Sequence, residues 1–189
     1  ESLTLYPCLV AFGLYREARR SQDADRVAIC AGRAVSREGR TGQALGHAML
    51  ATLAINGAWE IGIDTAQGQE LLQEAEGHID RAIALEPTSS FVWSERAYVA
   101  MVAQHLAAAR EYFHGAMQLN PAAVDTLSAY GQLQAQLGNM QEARRLSALA
   151  LEAESNPPGW YFTGPSLIAL SEGDYTQALE YAELIVPSR

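Results

Sequence analysis

Histidine is the side chain of this sequence best suited to binding a metal ion or moving a proton, and there are four: His47, His78, His105 and His114. A zinc site on a helix usually takes two ligands three or four positions apart, because that spacing puts both on one face. No two of these histidines have that spacing. We therefore predict no metal site, and we expect His105 and His114 at helix ends or on a solvated face.

The two cysteines, Cys8 and Cys30, could carry redox chemistry. They stand almost symmetrically about the first predicted turn, so they could face each other across a helical hairpin and form a disulfide or a redox switch. The alternative, which we favour, is that both are small buried hydrophobic side chains, as free cysteines commonly are. Two cysteines without metal-ligand spacing also favour a reducing compartment.

Three acidic side chains, Glu74, Glu76 and Asp80, fall within one predicted helix. Their helical spacing is typical of a solvated helix face. The sequence has no glycine-rich phosphate loop and no nucleophile elbow, and no strand is predicted that could position either. We therefore assign no catalytic residue and no cofactor, and we expect a protein that is not an enzyme.

The charge balance excludes one large class of partners. Thirteen arginines and no lysine stand against 22 acids, which gives a net charge of -9 and disfavours binding to nucleic-acid phosphates. The arginines are concentrated at the start: residues 1–40 hold 7 arginines and 5 acids, whereas residues 41–189 hold 6 and 17. Apolar stretches are shorter than the roughly 20 residues of a membrane span, so we expect a soluble, cytoplasmic protein. Because the chain begins at Glu1 without a secretory signal, we interpret it as a piece of a longer protein.

The predicted helices that carry these side chains belong to a sequence repeat. Trp93, Ala109, Phe113, Ala116 and Pro121 follow one another at offsets of 16, 4, 3 and 5. These are the offsets of the tetratricopeptide repeat (TPR), in which a large residue of helix A packs where a small alanine lets helix B approach. The chain therefore resembles TPR proteins, and the resemblance implies antiparallel helical hairpins.

The register continues toward the end of the chain. A step of 34 from Ala109 gives Ala143, and the next step is 35, from Gly138 to Gly173. Each glycine can adopt the left-handed conformation that ends a helix, and the Asn139 or Asp174 that follows can cap the next helix.

The register also continues backward, where it is less regular. A step of 34 maps Ala109 to Ala75 and Pro121 to Pro87, which predicts a helix B that begins near Glu70. Glycines at 57, 62 and 68 argue against an uninterrupted helix, so we place helix A near 43–56 and a long loop after it. Trp59 falls on the tryptophan position of the repeat, which we interpret as coincidence or a local cap.

We therefore predict an all-α fold, a right-handed α-solenoid of about five TPR-like hairpins in a single domain, 1–189. Residues 2–37 lack the consensus, but two apolar periodic stretches there predict one further hairpin. The approximate units are 2–37, 43–87, 90–121, 123–157 and 159–187. The last helix B carries apolar residues and no polar capping helix follows, so we expect self-association or further repeats to cover them: Ala178, Leu179, Ala182, Leu184, Ile185 and Val186.

A binding groove follows from the same register. In TPR stacks, four positions of each helix A line the inner groove, and with Trp93 as the reference they can be identified here. The predicted lining is Phe91, Ser94, Tyr98, Met101, Asp125, Ser128, Gln132, Ala135, Trp160, Thr163, Leu167 and Leu170. Aromatic anchors beside hydrogen-bonding groups, with one acid and no base, suit an apolar or mildly basic peptide. The alternative is that Tyr98 and Trp160 only fill space between repeats.

The last repeat supports a narrower comparison. Its stretch Asn156-Pro157-Pro158-Gly159-Trp160-Tyr161-Phe162, followed by Ser171-Glu172-Gly173-Asp174-Tyr175, resembles the C-terminal TPR region of bacterial adenylate cyclase-like proteins and winged-helix transcriptional regulators. Neither the cyclase carboxylates nor a winged helix is found here, so only the regulatory region would be present. The resemblance implies a bacterial signalling module that binds a protein or peptide, with a small-ligand sensor as the alternative. It leaves homo-oligomer formation open.

Overall fold

The computed structural model describes residues 24–37 and 39–185, and within these ranges the protein is helical and contains no strand. The described residues form nine α-helices, and a short 3-10 helix, Gly159–Phe162, immediately precedes the eighth of them. The helices are α1 (Ala24–Arg37), α2 (Arg40–Ile61), α3 (Ala66–Leu85), α4 (Ser90–Val102), α5 (Leu106–Leu119), α6 (Val124–Gln136), α7 (Met140–Ala153), α8 (Thr163–Glu172) and α9 (Tyr175–Ile185). The predicted all-α fold of helical hairpins is confirmed. Residues 2–23, Cys8 and Val186 lie outside the described ranges.

Short polar turns separate the helices. Thr65 caps α3 by accepting a hydrogen bond from the Gly68 N–H at 3.0 Å, and Asp174 caps α9 by accepting one from the Gln177 N–H at 3.0 Å. Gly173 has a φ of 77°, so the left-handed helix end predicted there is confirmed. Asn139 does not cap α7 as expected, because its amide donates instead to Gln134 Oε1 at 2.8 Å.

The long loop predicted over residues 57–68 is wrong. Helix α2 continues through Gly57 to Ile61, the chain turns over residues 62–65, and α3 begins at Ala66. A Cβ at Gly57 would lie 3.3 Å from Leu71 Cδ1, so this glycine allows α2 and α3 to pack closely rather than ending the helix. Gly62, with a φ of 102°, ends it. Trp59 then lies on the helix surface, largely exposed.

The chain divides into two compact units, with the boundary between Tyr112 and Phe113. In the first unit, the fully buried alanines of α2 and α3 lie against Ile55 and Ile79, and Val92 and Val99 of α4 join this core. In the second unit, Leu127 and Leu146 pack around Tyr161. Small residues lie where helices approach one another in both units, as the repeat pattern predicts.

Candidate functional site

The face of α4 that was expected to line a groove has two kinds of side chain. Ser94 and Met101 are buried, and Met101 is only 1% exposed. Phe91 and Tyr98 are half-buried, and both pack against the core formed by α2, α3 and α4. The surface that a partner could reach on this helix is therefore built around Phe91 and Tyr98.

Beside Tyr98, a polar cluster joins α4 to α2. The Tyr98 hydroxyl donates to Asn56 Oδ1 at 2.8 Å, and the Thr52 hydroxyl donates to the carboxylate of Glu95, which is 4% exposed. The cluster fixes the direction of the Tyr98 ring, because its hydroxyl is bound at the far end. Sequence analysis missed Thr52, Asn56 and Glu95. Glu95 stands between Ser94 and Arg96 in α4, so its immediate sequence gave no signal that it would be buried.

In the second unit, α6 contributes four predicted lining residues. Ser128 and Ala135 are buried, whereas Asp125 and Gln132 are half-buried. A Cβ on Gly164 of α8 would lie 3.3 Å from the backbone nitrogen of Gln132, so α6 and α8 approach very closely at this point. Gln132 therefore lies at the contact between α6 and α8.

The 3-10 helix and α8 supply the remaining lining residues. Trp160, Thr163 and Leu167 are half-buried. Trp160 stands edge-on to Tyr161 with ring centroids 4.5 Å apart, and the Tyr161 hydroxyl donates to Asp125 Oδ1 at 2.5 Å. Tyr161 was not among the predicted groove residues. It is buried, and its hydrogen bond links Asp125 to the Trp160–Tyr161 aromatic pair.

These side chains form surfaces suited to recognition. In each unit a half-buried aromatic residue, Tyr98 or Trp160, lies beside hydrogen-bonding groups whose positions are fixed by neighbours. Fixed aromatic edges contribute contact area at low entropic cost. We designate the described parts of these surfaces the helix A faces: Asn56, Phe91 and Tyr98 in the first unit, and Asp125, Gln132, Trp160, Thr163 and Leu167 in the second.

The structure brings together two histidines that the sequence separates by 31 residues. His47 Nδ1 of α2 lies 3.0 Å from His78 Nδ1 of α3, and Glu74 Oε1 lies 3.8 Å from His78 Nε2. Burial lowers the pKa of His47, as do the charges of His78 and Arg81. Burial also lowers the pKa of His78, although Glu74 acts in the opposite direction.

Within residues 24–37 and 39–185, no group of three or more histidine, cysteine or carboxylate side chains could hold a metal ion. Cys30 is a buried free thiol, whereas the Cys8 of the suggested pair lies outside the described ranges. His105 and His114 are exposed: His105 immediately precedes α5, and His114 lies in the middle of this helix.

A shallow depression in the first unit gathers polar side chains from three helices. Glu76 of α3, Arg96 of α4 and Tyr112 of α5 line it, together with His105. Arg96 donates to Asp80 at 2.8 Å and lies over the Tyr112 ring at 5.3 Å. The guanidinium is therefore already partly neutralised and held in place.

No helix in the described ranges has both the length and the apolar character needed to cross a bilayer.

Comparison with known proteins agrees with this geometry at the level of the fold. No family model matches the chain, and the curated proteins give no match. A tetratricopeptide repeat protein from Parabacteroides merdae is 16% identical over 98% of this chain, with a TM-score of 0.51; the chain spans 66% of that protein. This likeness shows the TPR-type fold.

Two further solved structures are similar to the chain. YrrB, a TPR protein with an unusual peptide-binding site, is 15% identical, with 91% of this chain and 81% of that chain covered and a TM-score of 0.49. PilF of Pseudomonas aeruginosa is 16% identical, with 97% and 91% covered and a TM-score of 0.47.

Proposed function

We propose that the chain is a non-catalytic module that binds proteins or peptides through its helix A faces. The observation that carries the proposal is the Tyr98–Asn56 hydrogen bond: it holds a half-buried aromatic ring in one direction at the surface of α4. The Trp160 edge beside the Asp125–Tyr161 pair repeats the same combination in the second unit. Aromatic anchors surrounded by oriented polar groups are typical of interaction hot spots.

The charge of these faces favours one class of partner. Asp125 is an acid that a peptide could approach, and the helix A faces include no arginine. The chain as a whole carries a net charge of -9, which attracts basic segments and repels nucleic-acid phosphates. An apolar or mildly basic peptide, in extended or helical form, fits both features.

The proposed setting is a cytoplasmic, bacterial signalling or transcription-regulatory protein in which this module regulates an attached cyclase or DNA-binding domain. The sequence resemblance of residues 156–162 and 171–175 supports it. The test is to delete residues 24–185 from the full gene product. The activity of the attached domain should then lose its dependence on the partner, and an unchanged dependence would contradict the setting.

Binding through the helix A faces is tested with labelled 12-residue peptides in fluorescence anisotropy. Three peptides of equal apolar content, with net charges of about +3, 0 and -3, are compared. The basic and neutral peptides should bind more tightly than the acidic one. Trp160→Ala and Gln132→Ala should each weaken binding about tenfold, because each removes an anchor or an oriented hydrogen-bonding group.

The matched control is Arg110→Ala, since Arg110 is exposed on α5 and lies outside the helix A faces. Thermal melts accompany each measurement. A large loss of stability in Trp160→Ala with unchanged peptide binding by the folded fraction would remove Trp160 from the site and indicate that it only fills space.

A small-ligand sensor is the second candidate, and the depression beside Arg96 favours it. Glu76, Arg96, His105 and Tyr112 converge there from three helices. Thermal shift with small carboxylates and amines provides the test: Arg96→Gln should abolish any stabilisation by a carboxylate. Stabilisation that persists in this variant would place the ligand elsewhere.

A further inference from the structure

The last two helical hairpins are equivalent in sequence, which allows their surfaces to be compared position by position. A step of 35 residues relates Gly138 to Gly173 and Ala143 to Ala178. The same step relates three positions of the α6–α7 hairpin to three of the α8–α9 hairpin. These pairs are Ala135 with Leu170, Met140 with Tyr175, and Ser147 with Ala182.

In the α6–α7 hairpin the next helix, α8, buries Ala135 and Ser147 and contacts Met140, which is half-buried. Ala135 is 6% exposed and packs against Ile168, and Ser171 Oγ donates to Met140 Sδ at 3.3 Å. Ser147 is buried where α8 comes closest. The covering helix presents residues at the spacing of one helical face: Gly164, Leu167, Ile168 and Ser171.

In the α8–α9 hairpin two of the equivalent positions are open, whereas Ala182 is half-buried. Leu170 is 50% exposed and Tyr175 is 73% exposed. Leu179, one turn after Tyr175 on the same side of α9, is 62% exposed. The hairpin itself is well packed, because Ala178 is buried, as is its counterpart Ala143. The exposure therefore lies on the side where the preceding hairpin receives a helix.

The charge around this surface discriminates between occupants. Helices α8 and α9 contain Glu172, Glu180 and Glu183 and no base, and residues 146–185 contain no arginine or lysine. Among the described residues, Arg144 is already paired with Glu172. A symmetric contact between two copies would bring acid against acid, which disfavours a second copy as the occupant. A helix with basic flanks is favoured instead.

We propose that the terminal face, formed by Leu170, Tyr175, Leu179 and Ala182, binds an amphipathic helix of a partner protein. The partner helix carries a small residue, apolar residues three and four positions later and a small residue seven positions later, as α8 does against α7. Arginine or lysine flanks this apolar stripe and faces the acids of α9. Leu170 was also predicted to line the groove and lies three residues after Leu167 of the helix A faces, so the two surfaces adjoin on α8. The inference rests on the α9 residues and does not depend on the helix A faces.

The experiment uses the full chain and two fluorescent synthetic peptides. Both contain residues 163–172 of this protein; one has two arginines added at each end and the other has two glutamates. The arginine peptide should bind, and the glutamate peptide should bind at least tenfold more weakly. Tyr175→Ser and Leu179→Ser should each weaken the arginine peptide at least tenfold and leave the circular dichroism melt unchanged, because both side chains are exposed.

Leu184→Ser is the matched control. Leu184 lies on α9 with 52% exposure, but two and a half turns after Tyr175 it points to the opposite side of the helix. Leu184→Ser should therefore leave binding unchanged. Equal binding of the two peptides, or equal losses in Leu184→Ser and Leu179→Ser, would overturn the proposal. So would a dimer in sedimentation velocity that Leu179→Ser dissociates, since a second copy would then be the occupant.

Discussion

His47 and His78 face each other across the α2–α3 hairpin with their Nδ1 atoms 3.0 Å apart. One ring must donate and the other accept, so the contact requires at least one of them to carry a bare Nδ1. Protonation of both rings would place two N–H groups against each other. The pair therefore makes the hairpin sensitive to pH, in the direction set by burial.

The first prediction is that the free energy of unfolding falls as the pH drops below about 6.5. Burial lowers the pKa of both histidines in the folded protein, whereas in the unfolded chain they titrate near 6.5. Between about pH 6.5 and the lowered pKa values of the folded state, the unfolded state therefore binds more protons than the folded state. The contribution of the two histidines to stability is fully present above about pH 6.5 and is lost as the pH falls through this range. Urea unfolding from pH 7.5 to 5 measures the loss, and His47→Gln should reduce it. The same slope in wild type and variant would show that other groups cause it.

The second prediction concerns Ser147, whose hydroxyl is buried and has no hydrogen-bond partner among the described residues. A Cβ on Gly164 would lie 2.9 Å from this oxygen, so Gly164→Ala should destabilise the protein by about 1–3 kcal/mol through overpacking. Ser147→Ala alone should stabilise it by about 1 kcal/mol, because an unpaired polar group is removed.

The double variant separates this contact from other effects of the substitution. In the Ser147→Ala background, Gly164→Ala should cost less than it does alone, since the clashing oxygen is absent. Gly131→Ala should lose only part of its cost in that background. Its Cβ would lie 2.8 Å from the same Ser147 oxygen, but it would also lie 3.2 Å from the backbone nitrogen of Ser147, which the substitution leaves in place. Additive urea-unfolding energies for Gly164→Ala and Ser147→Ala would show that the two residues do not interact.

The third prediction concerns the hydrogen bond between Tyr161 and Asp125. Tyr161→Phe removes the hydroxyl that donates to Asp125 Oδ1 and should lower the free energy of unfolding by about 1.5 kcal/mol, as expected for a hydrogen bond to a charged group. Asp125→Asn keeps an acceptor oxygen and should cost less. Thermal or urea unfolding compares the two. A greater loss in Asp125→Asn would indicate that Asp125 stabilises the protein through its charge.

The repeat pattern predicted the fold because its residues are fixed by local geometry. Ala109, Ala143 and Ala178 are buried where helices approach one another, as their spacing of 34 and 35 residues indicated. The continuous helix through Gly57 was missed, because the contact with Leu71 that explains this glycine appears only after α2 and α3 pack.

The polar pairs were missed for a related reason. Asn56 and Tyr98 are 42 residues apart, and a spacing within one helix cannot show which side chains meet between helices. The register selected Tyr98 and Asp125, and the structure shows both to be half-buried. It could not distinguish Met101, which is buried, from the half-buried neighbours on the same helix, because exposure depends on how adjacent hairpins pack.

The last prediction comes from a turn that the sequence pattern did not identify. Gln104 stands 34 residues before Gly138 and has a φ of 63°, close to the 80° of Gly138 and the 77° of Gly173. All three turns have the same hydrogen bonds: the residue after the positive-φ position donates to a carbonyl five residues earlier, as His105 does to Ala100 at 2.8 Å. A side chain in this conformation costs about 1–2 kcal/mol relative to glycine, and glycine loses about 0.5–1 kcal/mol through the greater entropy of the unfolded chain. Gln104→Gly should therefore stabilise the protein by about 0.5–1 kcal/mol, and Gly138→Gln should destabilise it by a similar amount. Urea unfolding of both variants measures the difference, and Gln104→Ala is the control, because it shortens the side chain and retains the strain. If Gln104→Ala stabilises as much as Gln104→Gly, the effect arises from the removed side chain and not from the backbone conformation.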